Sequence, residues 1–288
     1  MPAFDPIIAR QTWRTLEPIH GMIYFAPEAT DAYAAIGVTG RTGYFASRAA
    51  PMGAVSAEVV VAAFFNFHPD LVRSAMQAAW SSATPEAMCR ARLVAADAAL
   101  RRAGGPWIDS DEVAAAAKLA SIAARSAMLA SEGRALFAGH AALAWPDEPH
   151  LVLWHAQTLL REFRGDGHIA LLLSAELTGL DALVLHAASG EVPRRALQAT
   201  RAWSDDEWEA AIVRLADRDL VDGSGAFTHA GRELRAQIER DTDRLASAPY
   251  AVLGPDGCAS LRRAARPLAK AIVESGLLAG LGAQPPDV

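Results

Sequence analysis

"RLADRDLVDGSGAFTHAGRELR", residues 214–235, is the stretch on which the reading of this chain turns. A helical stripe ends inside it, because Trp208, Ile212, Leu215 and Leu220 recur at the spacing of one helix face. "LVDGSGAFT" (220–228) then reads as a short apolar run, a glycine turn and a second short run, which predicts a small hairpin. "THAGRELRAQIERDTDRLA" (228–246) carries the polar and apolar faces of a long helix. Upstream, Ser204 followed by Asp205, Asp206 and Glu207 is an N-cap with an acidic first turn, suited to the positive end of a helix.

Working outward, the chain shows a weak internal repeat. "GYFASRAAPMGAVSAEVVVAAFFNFHPDLVRSAMQAAW" (43–80) parallels "GHIALLLSAELTGLDALVLHAASGEVPRRALQATRAW" (167–203). Each has a glycine and a ring-bearing residue (Tyr44, His168), an apolar helix, and a second helix led by an acid (Glu58, Asp181). Each ends on a tryptophan (Trp80, Trp203). Residues 84–120 and 204–240 continue the match. The expectation is a mainly α fold of two tandem, internally duplicated, winged-helix-like halves with a small β-wing. The first half, 1–145, is degenerate; the second, 146–288, has closing helices.

Residues 214–235 resemble the MarR-type winged-helix proteins, whose pattern there is leucine, basic, glycine-leucine, wing, then threonine, two residues and glycine, as in Thr228 and Gly231. Nearly the whole chain is also similar to an actinobacterial family labelled MarR-like or winged-helix-like. The MarR resemblance implies homodimers with ligand pockets between dimerising helices and winged helices. A tandem chain would then be a monomeric pseudo-dimer or a homodimer, with a ligand cavity between its halves. The sequence departs from a DNA reader where it matters. The expected recognition segment, Ser204–Glu209, holds four carboxylates in six residues, which a duplex would repel. The "DGSG" wing offers the minor groove no arginine. DNA is therefore not the expected partner.

Composition agrees. Lys+Arg 27 against Asp+Glu 33 gives a net charge of -6, with no contiguous basic face of the kind that releases counterions from a duplex. With 52% hydrophobic residues and only 7% aromatics, helices are favoured over sheets. Cys89 and Cys258 lack metal or disulfide spacing. With no signal-like N-terminus and no uncharged run long enough to span a bilayer, the expected address is the cytoplasm, with no membrane partner.

Candidate chemistry centres on "REFRGDGH" (161–168). On a helix, Glu162 and Asp166 share a side; a break at Gly165 and Gly167 would aim His168 at the same space. These three residues are the expected catalytic group, since a histidine oriented by carboxylates is the usual general base. Arg161 and Arg164 can fork onto an anionic ligand. His20, Tyr24, Tyr44, Phe64, His68 and His155 are further candidates for ligand binding. GxGxxG, GxxxxGK[ST], HExxH and GxSxG are all absent, which argues against nucleotide-dependent transfer. The sequence excludes neither haem nor a single metal ion, because one axial histidine and an apolar pocket leave almost no signature.

The expected function is small-molecule binding, leaning to acid–base or metal- or haem-assisted catalysis, on a winged-helix scaffold that has left DNA. The alternatives are a MarR-type ligand-responsive regulator, a haem- or metal-dependent enzyme, and a structural or interaction protein.

Overall fold

A computed structural model of the chain describes residues 4–278, so the first three residues of the expected first half and residues 279–288 of the second lie outside the described residues. Within that range fifteen α-helices and four 3-10 turns carry the regular structure. The mainly α class is observed. The hairpin is reduced to one isolated antiparallel bridge, Val221 with Phe227. Its turn folds onto its own acid: Asp222 Oδ1 accepts from Ser224 N at 2.8 Å and Ala226 N at 3.1 Å. Thr228 N returns to Leu220 O, and the next helix begins at His229. No length of chain is left for a ladder.

The chain forms two compact units that interleave along the sequence. The first joins residues up to Ala54, Ala78–Asp166 and the stretch from Asp243; the second joins Val55–Gln77 to Gly167–Thr242.

The first unit is built of alanine-faced helices. Pro6–Gly21 starts at Asp5, whose carboxylate accepts from Ile7 N, with proline at the first helical position. It packs along Gly254–Glu274, while Pro27–Ala34 packs on Pro85–Gly104 and Asp111–Ala127 on Gly254–Glu274. Ala95, Ala96, Ala99, Ala120 and Ala124 are buried, and such small side chains let helix axes approach closely. Leu16, Phe45, Met88, Leu100, Phe137 and Leu153 fill the remaining volume. By length and composition alone one stretch here, Asp111–Ala130, is apolar enough to cross a membrane, with 39% of that window buried in the fold.

The second unit is organised around Trp208, 1% exposed, against Leu183, Leu197, Leu215, Val221 and Ile238. Thr178 with Asp181, and Ser204 with Glu207, form reciprocal capping boxes that fix two helix starts. Arg194–Arg201 and Asp205–Asp217 are separated by three residues, and Ala202 takes the left-handed conformation that makes the turn sharp. This is a helix-turn-helix.

Gly231 opens the following helix so close to the bridge that a Cβ would lie 1.8 Å from Leu220 O. Backbone cannot yield as a side-chain tip can. Gly231→Ala should therefore destabilise the protein by about 3 kcal/mol or more in urea unfolding. A loss under about 1 kcal/mol would contradict the close approach.

Candidate functional site

The helix Pro149–Ser174 supplies the first unit with its central charged residues. Glu162 is 2% exposed, and burial alone would push its carboxyl upward. Arg48 and then Arg161 outweigh burial and hold it near 2. Arg48 Nη2 donates to both Glu162 oxygens, at 3.2 and 3.1 Å, and Arg161 Nη1 donates to Oε1 at 3.0 Å. Arg161 Nε also reaches Glu17 Oε1 at 3.2 Å. Two guanidinium groups therefore face two carboxyl groups, and burial, opposed by Arg161, pushes that of Glu17 up. Arg48 comes from Arg41–Ala49, one turn after Tyr44, whose hydroxyl accepts from Arg48 Nη1 at 3.0 Å.

Beside this quartet lies a directional chain of hydrogen bonds. Thr158 Oγ1 donates its proton to Trp154 O at 2.9 Å, one turn back. It therefore accepts from His20 Nδ1, also at 2.9 Å. That leaves His20 Nε2 as the acceptor for the Tyr24 hydroxyl, at 2.8 Å. His20 is fully buried; burial, then the charges of Arg161, Arg92 and Arg48, keep it neutral far below the ordinary imidazole range. Tyr24 and Tyr44, ring centroids 5.2 Å apart, line a cavity of about 220 Å³ with Ser47, Tyr33, Ile23 and Val38.

Among the residues singled out by sequence, the fold thus brings Glu162, Arg161, His20, Tyr24 and Tyr44 together. The helix break expected at Gly165 and Gly167 is absent, because Pro149–Ser174 runs through both. A glycine costs a helix only about 1 kcal/mol, and the buried Phe163 and Asp166 anchor the same turn. With the helix unbroken, residues two apart point about 200° from one another. His168 Nδ1 meets Thr242 Oγ1 at 2.9 Å in the second unit, whereas Glu162 and Asp166 belong to the first. Asp166 caps Ala135–Ala141, accepting from Phe137 N at 2.9 Å. Arg164 pairs with Asp243 at 2.8 Å and lies over the Trp13 ring.

His68, in the second unit, meets Glu207 Oε1 at 3.1 Å and accepts from Asp70 N, capping its own helix. Phe64 is 5% exposed and packs on Phe67. His155 lies edge-on to Trp145 at 4.8 Å and lines a different cavity with Arg92 and His140. Sequence reasoning assigned no role to Arg48, Arg92 or His140. Arg48 was findable as the basic residue one turn after Tyr44; Arg92 and His140 carry no local signal. No group of three or more His, Cys, Asp or Glu among the described residues is arranged to hold a metal ion.

The expected recognition helix, Asp205–Asp217, opens on carboxylates in the structure too. Asp205 accepts from Arg194 Nη2 at 2.9 Å and Glu209 from Arg194 Nη1 at 2.6 Å, while 83% of the Asp205 side chain stays exposed. Arg214, on this helix, pairs with Asp181, and Arg218, just after it, donates to the carbonyls of Ala175 and Glu176.

Asp166 gives a pH test of this packing. Burial pushes its carboxyl up to about 6, helped by the charge of Glu162 and opposed by the Phe137 N–H and Arg134. The folded value lies above the unfolded value of about 3.9, so the stability linked to this proton is present below about pH 4 and lost as pH rises through 6. Asp166→Asn keeps an acceptor for Phe137 N. It should be more stable than the natural chain at pH 7.5, by on the order of 1–3 kcal/mol, with the advantage gone at pH 4. Urea unfolding at both pH values decides; an equal difference at the two would contradict the assignment.

Comparison with known proteins adds one finding. No curated protein and no solved structure matches the chain. Residues 9–279 match the pattern of a helix-turn-helix family, and on that extent the chain belongs to the helix-turn-helix family.

Proposed function

We propose that this helix-turn-helix protein binds a small organic molecule in the cavity beside Tyr24 and Tyr44, and that its expected recognition helix does not read DNA. The observation that carries the reading is the chain Tyr24–His20–Thr158. It commits the Tyr24 proton to His20, which leaves the phenol oxygen of this cavity-lining residue as an acceptor for a hydroxyl or amine on the ligand. The same surroundings argue for binding over catalysis by this pair. A base must take up a proton, and an imidazole encircled by Arg48, Arg92 and Arg161 is a poor place for another positive charge.

A second reading, a ligand-responsive DNA-binding regulator of MarR type, draws on the family assignment. The carboxylates at the start of Asp205–Asp217 weigh against it, since a duplex would have to desolvate and oppose them. Tandem ancestry stays part of the proposal, supported by the paired segments 43–80 and 167–203.

The test has two arms. Full-length protein is mixed with a small-molecule extract of its source cells and desalted, and retained compounds are identified by mass spectrometry beside Tyr24→Phe. A compound held by the natural chain should be retained about tenfold less by the variant, the cost of one unmet ligand donor. In the second arm, DNA from upstream of its gene should give no retarded band at low salt. Retention that ignores Tyr24, or tight salt-sensitive DNA retardation, would overturn the proposal.

A further inference from the structure

Two arginines of the first unit are buried, Arg48 at 8% and Arg92 at 3% exposed. Arg48 is answered by Glu162. Arg92 has no such answer. It sits on the inward face of Pro85–Gly104, 3% exposed, with Met88, Ala95 and Ala96 buried beside it. Among the described residues no carboxylate pairs with it, and its Nε and Nη2 have no hydrogen-bond partner. Glu162 feels its charge more weakly than those of Arg48 and Arg161. The one contact that answers the guanidinium is the face of Trp154, 5.0 Å from Cζ. A guanidinium cannot shed its proton to escape such a position. Burying a charge without a partner is costly, so the site points to an occupant that brings the missing negative charge.

The surroundings define that occupant. Arg92 lines a cavity of about 160 Å³ with His140, Trp154, His155, Leu143 and Pro146, and this cavity shares no lining residue with the one beside Tyr24. Trp154 Nε1, His140 Nε2 and His155 Nε2 are buried and, like the arginine, have no partner. Burial and then Arg92 hold both histidines neutral, His155 down at about 4. They can therefore offer N–H groups without adding charge. The unmet set is rich in donors, carries one positive charge and is walled by leucine and proline. Arg90, exposed at the rim, adds attraction for an entering anion.

We propose that this cavity is a binding site for a small organic monocarboxylate. Its carboxylate takes the Arg92 fork and the Trp154 N–H, and its apolar body lies against Leu143 and Pro146. A carboxylate matches the planar guanidinium bidentately. Inorganic phosphate, more highly charged and without an apolar part, fits a single arginine in an apolar cavity less well. The site does not depend on what occupies the cavity beside Tyr24.

The probe is benzoate, titrated calorimetrically into the full chain, with benzamide as its neutral isostere and inorganic phosphate as the competing anion. Benzoate should bind with a Kd below about 1 mM, within the affinity open to a ligand of this size. It should also shift the indole N–H resonance of Trp154, identified through Trp154→Phe. Benzamide should bind at least tenfold more weakly, and phosphate should not compete. Arg92→Met, which keeps helix propensity and bulk, should lose at least tenfold in benzoate affinity while melting no lower than the natural chain. If Arg92→Met fails to fold, the benzoate–benzamide ratio and the Trp154 shift in the natural chain decide alone. Absence of benzoate binding, equal affinity for benzamide, competition by phosphate, an unmoved Trp154 resonance, or full affinity in a folded Arg92→Met each overturns the proposal.

Discussion

The first unit depends on the Glu162 carboxylate being held ionised where no water reaches it. One carboxylate with Arg48 on one side and Arg161 on the other ties the helices Arg41–Ala49 and Pro149–Ser174 together. Remove either partner and a charge is left buried, which costs more than the pair contributes in its intact form. The arrangement has a consequence beyond stability. Burial, reinforced by the charges of Arg161, Arg92 and Arg48, denies His20 a second proton, and Thr158, whose own proton goes to Trp154 O, fixes its tautomer and so the direction of the Tyr24 bond.

In the second unit the carboxylates that open Asp205–Asp217 are at the surface, engaged in caps and in short contacts with Arg194. Exposed pairs of this kind contribute little to stability and leave the surface acidic. In the first unit Glu162 is buried between Arg48 and Arg161, while Arg92 is buried with no carboxylate partner among the described residues. The helix-turn-helix opens its second helix on exposed carboxylates, which is the ground of the proposal that this helix does not read DNA.

Much of this was legible in the sequence where the signal is local. The N-cap at Ser204 with its acidic first turn and the long helix after Thr228 follow from side-chain chemistry within a few residues. Glu162 and Arg161 were singled out because residues 161–168 crowd charged side chains between two apolar helix patterns. What failed was non-local. Gly165 and Gly167 suggested a break, yet packing on both sides carries the helix through them. His168 looked like a partner for Glu162 because of proximity in sequence, whereas the unbroken helix turns it toward Thr242. Arg92 lies in an alanine-rich run whose pattern does not distinguish a buried arginine from a solvated one. The interleaved composition of the compact units likewise depends on contacts between distant segments.

The central claim, that burial, the nearby arginines and Thr158 together keep His20 a neutral acceptor for Tyr24, is open to one direct measurement. Nitrogen chemical shifts of the His20 ring, recorded by NMR on imidazole-labelled protein between pH 5 and 8, report protonation and tautomer together. The account predicts a proton on Nδ1, a bare Nε2 and no titration across the range. An imidazolium signal at pH 6, or a proton residing on Nε2, would contradict it.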